Sequence, residues 1–449
     1  MPEISAGSGV STSGVENNQG HAGRFQQNAA MSRRQWTVVL LLVVSVVINY
    51  VDRSNLSIAA PLVQRQFSLA PLQIGTLLSA FFWTYSLMQI SGVAGWLSDR
   101  LPVGWVMLGG YALWSCATLL IGISSSFAML FMTLLLLGIG ESVAYPCYSR
   151  IFAELPQQKR GQANAYIDAG TKLGPAAGAF AGGLILVHVG WRMLFILLGA
   201  GGLVWIFPWL CAMPRPKPQS QSEVAPSLPS FGRLLRVQSA WGTFLGHFCG
   251  NYFFYFLLSW LPIYFVCEEK MTVAAMSRAA STVYLLIALS TIAAGWISDR
   301  LIAGGLSPTR VRRTIVVSGL MVASSLSALA FIQGSPVLSR TIMIVASIGY
   351  GVQASNHWAI SQTLAGPQMA GRWTSLQNGI ANLAGIVAPW FAGLVVQLTG
   401  TSRLTFLATG MVALAGSIIW ATLVPCVEPI MWEPKQRPEV RGSKATTIV

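Results

Sequence analysis

Seven ionisable residues of this 449-residue sequence stand inside long apolar stretches, where charge is costly. They are Asp52, Arg53, Glu141, Asp168, Lys172, His247 and His357. A bare charge at the centre of a bilayer costs about 2.5–3.5 kcal/mol on insertion scales, so such residues usually serve a polar cavity. Arginine offers a permanent cation for a carboxylate, and a buried carboxylate offers an exchangeable proton. The set therefore predicts an anion site linked to proton transfer.

Asp52 and Arg53 are adjacent in the apolar run WTVVLLLVVSVVINYVDRSNLS, which begins at Trp36. Neighbouring residues of a helix project about 100° apart, so both side chains can face one cavity while only partly neutralising each other. We expect Arg53 to bind an anion and Asp52 to carry a proton; the alternative is a structural pair that merely cancels charge. Glu141 has no cation near it in the sequence, and we expect it to carry a proton as well.

Other polar residues recur at helical spacing on the same apolar stretches. They form four rows: Ser45, Asn49, Asp52 and Arg53; Asn164, Asp168 and Lys172; His247, Asn251, Tyr255 and Ser259; and Asn378 with Asn382. Lipid cannot satisfy such rows, so they are predicted to face one shared cavity. Asn251, Asn378 and Asn382 are therefore candidate substrate ligands. His247 and His357 are predicted to be hydrogen-bonded packing residues rather than proton relays.

The elements that must position these residues are membrane-spanning helices. Charged residues make up 9% of the sequence and apolar residues 53%, whereas soluble domains average about 25% charged residues. Twelve apolar stretches have spanning length: 36–58, 72–94, 103–123, 127–149, 162–186, 193–213, 240–266, 277–298, 314–334, 338–362, 374–398 and 404–425. The chain is thus predicted to be an all-α membrane protein.

The formal net charge of +14 does not indicate a nucleic-acid partner, because no basic stretch is interleaved with base-stacking aromatic residues. Lys and Arg concentrate in the segments on the side of both termini, which predicts cytoplasmic termini in a cell inner membrane. The six cysteines are scattered without a CxxC pair and are interpreted as packing residues. The sequence contains no HExxH, Walker or GxSxG motif, so we expect no metal or cofactor and disfavour an enzyme or sensor.

The hexapeptide GWLSDR at 95–100 recurs as GWISDR at 295–300. Each copy follows the second span of a six-span set and is predicted to open a loop, so the match indicates an internal duplication. A Pro- and Ser-rich linker separates the two sets. The predicted organisation is a disordered tail at 1–35, bundles at 36–213 and 240–426, a linker at 214–239 and a second tail at 427–449.

The repeated G-x-x-x-D-R motif in a 6+6 layout resembles the major facilitator superfamily. More narrowly, NYVDRSNLSIAAP, FFWTYSLMQ, GIGESVAYP, TKLGPAAG, GWRMLF, GHFCGNYFFYFLLSWLP and GIANLAGIVAP together resemble its anion:cation symporter family. The resemblance implies twelve helices in two pseudo-symmetric six-helix bundles. It also implies gating roles for Gly95, Asp99, Arg100, Gly295, Asp299 and Arg300, with the glycines allowing close helix approach.

The same resemblance implies a monomeric carrier that imports an organic anion, a sugar acid or related carboxylate, with protons by alternating access. Tyr85 and Gln89 match substrate positions of the family. The alternative is a proton-coupled drug or metabolite antiporter, because GPAAG at 174–178 resembles part of an antiporter motif; close helix packing is the preferred interpretation of those glycines. The expected partners are a small organic anion, protons and membrane lipid.

One residue departs from the resembled pattern. The family commonly places an arginine two turns before the glutamate of the fourth span, where this sequence has Leu134. Lys172 lies four residues after Asp168 and is the other cation predicted at this depth. It either shares the anion with Arg53 or simply neutralises Asp168 along the helix; we favour the shared anion site and count Lys172 among the substrate-binding residues.

Overall fold

The computed structural model describes residues 31–214, 231–332 and 334–432. Most of the predicted tails at 1–35 and 427–449 and of the predicted linker at 214–239 lies outside these ranges. We call the helices before the linker the N-terminal half and those after it the C-terminal half.

Helices account for the secondary structure of the described residues. In the N-terminal half they are α1 Arg33–Gln66, α2 Pro71–Ile90, α3 Val93–Arg100, α4 Val103–Ile123, α5 Phe127–Ser142, α6 Ala144–Ala153, α7 Gln157–Val204 and α8 Ile206–Ala212. In the C-terminal half they are α9 Phe231–Leu234, α10 Gln238–Cys267, α11 Val273–Ala303, α12 Pro308–Ala323, a 3-10 helix Ser324–Ala330, α13 Pro336–Ala354, α14 His357–Asn382, α15 Ala384–Thr399 and α16 Arg403–Leu423.

Twelve membrane spans follow from these helices. Ten helical segments among the described residues are long and apolar enough to cross a bilayer, and α2 with α3 makes another span bent by 59°. One of the ten, Gln162–Ala212, holds two spans, because Gly190 interrupts it with φ 79° and ψ 169°. The all-α prediction of twelve spans is confirmed.

The two copies of the repeated motif lie in different local structures. The first forms part of α3, which is set off from α2 by Gly92 at φ 74°, a value that favours glycine. The second continues without a break inside α11. The prediction that each copy opens a loop is therefore wrong. Both are helical, because backbone hydrogen bonding extends the helices beyond the apolar residues that define a span.

The N-terminal half is held together by a row of glycines on α7. Gly170, Gly174, Gly178 and Gly182 are four residues apart, and a Cβ atom at each would meet side chains of α1, from Val46 to Asn55. Without side chains these positions let the two backbones approach closely. The glycines of the GPAAG segment thus serve close helix packing, which is the interpretation preferred above to an antiporter motif.

The two halves meet tightly at the end of the bundle opposite the termini. A Cβ atom at Gly75 of α2 would clash with the carbonyl of Pro389 on α15, and Gly393 packs against Pro71 in the same way. The Leu72 amide donates to Gln397 Oε1 at 3.2 Å across this contact. We call this end the far end; its closure leaves a cavity between the halves near mid-bundle.

Candidate functional site

The central cavity contains about 540 Å³ of space between the two halves. Its lining comprises Asp52, Arg53, Leu56, Ser57, Leu78, Phe81, Phe82, Thr118, Ile121, Leu137 and Phe195 from the N-terminal half and Tyr255, Leu258, Ser259 and Pro389 from the C-terminal half. Because α1 runs towards the far end, Asp52 and Arg53 form the floor of the cavity and the other residues rise from it.

Arg53 and Glu141 form a buried ion pair at the cavity floor. Arg53 Nε and Nη2 both donate to Glu141 Oε2, at 3.0 and 2.8 Å, and the two residues are 8% and 0% exposed. The expectation that Glu141 is isolated from cations is therefore wrong, since α1 supplies one from 88 positions away in the sequence. Removing one partner of such a pair strongly destabilises the protein, because the other charge is left buried and unpaired.

Asp52 lies on the same floor but belongs to a different contact. Its Oδ2 accepts a hydrogen bond from Thr118 Oγ1 of α4 at 3.4 Å. Asp52 Oδ1, Glu141 Oε1 and Asn49 Oδ1 are buried acceptors without a hydrogen-bond donor among the described residues. Buried acceptors normally have donors, and a proton on either carboxyl group would supply one.

Aromatic rings enclose the Arg53 guanidinium. Its carbon lies 4.4 Å from the centroid of Phe81, 4.9 Å from Tyr50 and 5.1 Å from Tyr85. These distances are typical of cation–π contacts, which stabilise a desolvated cation. The structure thus places Tyr85 beside Arg53, as the resemblance implies. Gln89, one turn further along, instead donates to the Ser142 carbonyl at 2.7 Å and joins α2 to the end of α5.

The C-terminal half meets this floor with a tyrosine and two amides. Tyr255 donates to Asn382 Oδ1 at 2.7 Å, and Asn382 Nδ2 donates to the Asn378 carbonyl at 2.8 Å. Tyr255 also packs against Phe82 of the other half, with the ring centroids 4.4 Å apart. Asn382 is therefore bonded to both Asn378 and Tyr255, and Tyr255 rather than either predicted amide lines the cavity.

A second polar region lies between the floor and the termini. Lys172 of α7 interacts electrostatically with Asp168, Tyr50 and Tyr350, and it is within electrostatic reach of His247 and His357. Tyr50 touches the Arg53 guanidinium as well, so it stands between the two cations. Lys172 therefore lies within electrostatic reach of Asp168 and is linked to Arg53 through Tyr50, but it does not line the central cavity.

The two histidines form a pair that sequence reasoning missed. Their ring centroids are 4.3 Å apart, each is 4% exposed, and Asn251 neighbours His247. The His357 nitrogens make no hydrogen bond of good geometry among the described residues, although the Ala354 backbone is near enough to interact. Both histidines are buried packing residues, as expected. Their distance in the sequence, on α10 and α14, concealed the pair.

The predicted gating residues lie at the end of the bundle that holds the termini. Asp99 Oδ1 accepts from Arg150 Nη1 of α6 at 3.0 Å, while the Arg300 guanidinium carbon lies 5.2 Å from the Trp296 ring centroid. Asp99, Arg100, Asp299 and Arg300 are exposed. Sequence reasoning did not identify Arg150 as the partner of Asp99, although Arg150 directly follows the predicted span 127–149.

The glycines of the repeated motif make no close helix contact in this conformation. A Cβ atom at Gly95 would meet no atom within 4 Å, and one at Gly295 would meet only Ser355 Cβ, at 3.8 Å. The close approach that the resemblance implies for these positions is therefore not found here. Close glycine contacts between the halves are found elsewhere, at Gly75 and Gly393 of the far end and at Gly385 against Phe82.

Comparison with known proteins places this architecture in one superfamily. The family described as Major Facilitator Superfamily matches residues 42–389. The chain is 26% identical to the probable galactarate/D-glucarate transporter GudP of Bacillus subtilis, over 90% of this chain and 95% of that protein. It is also 26% identical to the hexuronate transporter of the same organism, over 90% and 97%.

The solved structures agree with this assignment. A bacterial homologue of the human lysosomal transporter Spinster, in an inward-facing and occupied conformation, superposes with a TM-score of 0.74. It shares 17% sequence identity, and the match covers 88% of this chain and 98% of that one. The chain belongs to the Major Facilitator Superfamily. It is a membrane transporter rather than an enzyme, and its relatives include transporters of sugar acids.

Proposed function

We propose that the protein imports an organic anion together with protons by alternating access of the cavity to the two sides of an inner membrane. The observation that carries this proposal is the buried Arg53–Glu141 ion pair at the interface between the halves. A guanidinium is suited to a carboxylate, and a single guanidinium cannot hold Glu141 and a substrate carboxylate equally well.

The coupling follows from this competition. When Glu141 takes up a proton, its attraction for Arg53 falls, and the guanidinium becomes available to the substrate anion. Asp52, which has one oxygen without a donor, is the second proton carrier. Import of a lone anion into a negative-inside cell costs about 2.3 kcal/mol per charge per 100 mV, so a cation must accompany it. Binding both proton and anion at one floor makes them travel together.

Closure of the far end supports a direction for this conformation. With both termini in the cytoplasm, the far end faces outward and is sealed at Gly75 and Gly393, so the path from the cavity to solvent would lead past the buried floor to the cytoplasmic side. Asp168 and Lys172, on that side of the floor, are indeed partly exposed. Rocking of the halves would open the far end and close the cytoplasmic one, with Asp99 and Asp299 at the closing corners.

Glu141→Gln tests the coupling role in proteoliposomes. We expect the variant to lose uptake driven by a pH gradient while retaining binding and counterflow exchange, because a neutral amide mimics the protonated acid but cannot release a proton. Uptake of labelled acids, with the gradient imposed or collapsed, measures this. Glu154→Gln, at the cytoplasmic end of the next helix, serves as the matched control. Normal accumulation by Glu141→Gln would rule out the assignment.

A further inference from the structure

We propose that the substrate is a compact carboxylate with an apolar body, such as an aromatic or alicyclic ring, rather than a polyhydroxylated acid. This inference rests on the proposed function, because it takes Arg53 as the site of the carboxylate. It concerns the other end of the substrate, which must lie in the cavity above the floor. The side chains there differ from what a sugar acid requires.

Apolar side chains surround the space above Arg53. Leu56, Leu78, Ile121, Leu137, Phe195 and Leu258 line it, and they come from helices of both halves. A body buried among such groups gains free energy in proportion to its apolar surface. A hydroxyl group placed there would give up its bonds to water and needs replacements from the protein.

The hydroxyl groups of the cavity wall already donate hydrogen bonds within the protein. Ser57 Oγ donates to the Ser54 carbonyl at 2.9 Å, and Ser259 Oγ donates to the Tyr255 carbonyl at 2.5 Å. Tyr255 donates to Asn382, and the Thr118 hydroxyl donates to Asp52. A substrate hydroxyl would therefore find few free donors in the wall, and the free acceptor of the lining, Asp52 Oδ1, lies at the floor. Hydroxyl groups spread over a body in the apolar part of the cavity would find few partners, and this works against a polyol.

A neighbouring cavity extends the apolar wall towards the far end. It contains about 290 Å³ and shares Leu56, Leu78 and Ile121 with the first, so the two are separated by single side chains. All its lining residues are apolar, and Leu134 is one of them. At Leu134 the chain places a hydrocarbon where an arginine would have added a charge. The wall behind the single guanidinium is thus apolar, which suits one carboxylate with an apolar body.

Equilibrium binding to the purified full-length protein tests this inference. Phenylacetate and cyclohexanecarboxylate serve as apolar probes, and D-glucuronate and D-gluconate as polyhydroxylated probes; all four carry one carboxylate. We expect the apolar probes to bind at least about tenfold more tightly at mildly acidic pH, since small differences in a buried apolar body are worth about that much. Arg53→Gln, which should abolish specific binding, defines the background from detergent. Arg65→Gln, exposed at the end of the same helix, is the matched control.

Two substitutions sharpen the result. Leu134→Arg should weaken binding of the apolar probes and strengthen that of D-glucuronate, narrowing the ratio of their affinities by about tenfold or more. Leu137→Asn, in the first cavity, should narrow it in the same direction and provides a second route if the arginine disturbs folding. Size-exclusion profiles and melting temperatures report on folding.

The outcomes separate this inference from the proposed function. Binding of D-glucuronate as tight as that of phenylacetate, and lost in Arg53→Gln, would overturn the apolar-body inference and leave the anion site standing. Phenylacetate binding that persists in Arg53→Gln would overturn both. Failure of all four probes to bind would also overturn the inference. In that case, uptake assays on the Glu141 variant with other acids would decide the proposed function by themselves.

Discussion

The two halves share one fold but differ in the chemistry that they bring to the cavity. Among the described residues, the fully buried charges are Asp52, Arg53 and Glu141, and all lie in the N-terminal half. The C-terminal half presents the uncharged residues Tyr255, Leu258, Ser259 and Pro389 to the same space. The repeated motif indicates an internal duplication, but the cavity residues of the two halves do not repeat one another.

This difference indicates a division of labour. Buried charges can stabilise an ion and exchange protons, but each needs a partner held at short range. One rigid half can hold these partners together during the rocking that we propose. Uncharged rings and amides tolerate a changing interface, because their contacts cost less to break. We therefore expect substitutions in the N-terminal half to alter affinity and coupling, and those in the C-terminal half to act more weakly.

The largest expected effect is that of Arg53→Gln. Losing the buried guanidinium should weaken binding of any transported anion by at least about 2 kcal/mol, near 30-fold, because both the anion and Glu141 lose their partner. Binding measured by calorimetry checks this, with Arg65→Gln as the control on the same helix. Tyr255→Phe removes a hydroxyl group from the other half, and we expect its loss of binding free energy to be severalfold smaller. Equal losses for the two would contradict the division between halves.

Lys172 tests whether the charged chemistry extends along α7. If it shares the anion with Arg53, Lys172→Gln should weaken binding by about 2 kcal/mol, and adding Asp168→Asn should not restore it. Binding and expression level are measured for both single variants and the double variant. Full recovery of expression and uptake in the double variant would show instead that Lys172 only neutralises Asp168.

The smallest effects are expected at the gating residues predicted near the end of the bundle that holds the termini. Asp99→Asn breaks an ion pair with Arg150 whose members are 69% and 38% exposed, and exposed pairs typically contribute about 0–1 kcal/mol. Asp299 has no ion pair among the described residues, so Asp299→Asn should do less still. We expect the double variant to change the transport rate much more than the substrate affinity, with the Asp99 contribution shrinking at high salt. Unchanged transport by the double variant would exclude a gating role.

Sequence reasoning predicted the members of the site better than their contacts. Asp52 and Arg53 were expected at the cavity and line it, because a charge within an apolar helix must face a polar space or a partner; Tyr85 lies beside Arg53 but outside the lining. The partner of Glu141, the pairing of the two histidines and the far-end glycines were not predicted. Each depends on which helices become neighbours, and helix propensity and hydropathy carry no information on that.

The sequence by itself determined the class of the protein. Its apolar stretches, its charge distribution and its repeated hexapeptide are local or periodic properties, and a bilayer converts them directly into spans and orientation. Only the tertiary structure decided that Arg53 bonds to Glu141, that Lys172 faces the histidine pair and that apolar side chains fill the space around Leu134. Those contacts join helices far apart in the chain, because close packing of helix faces, rather than sequence distance, selects which side chains meet.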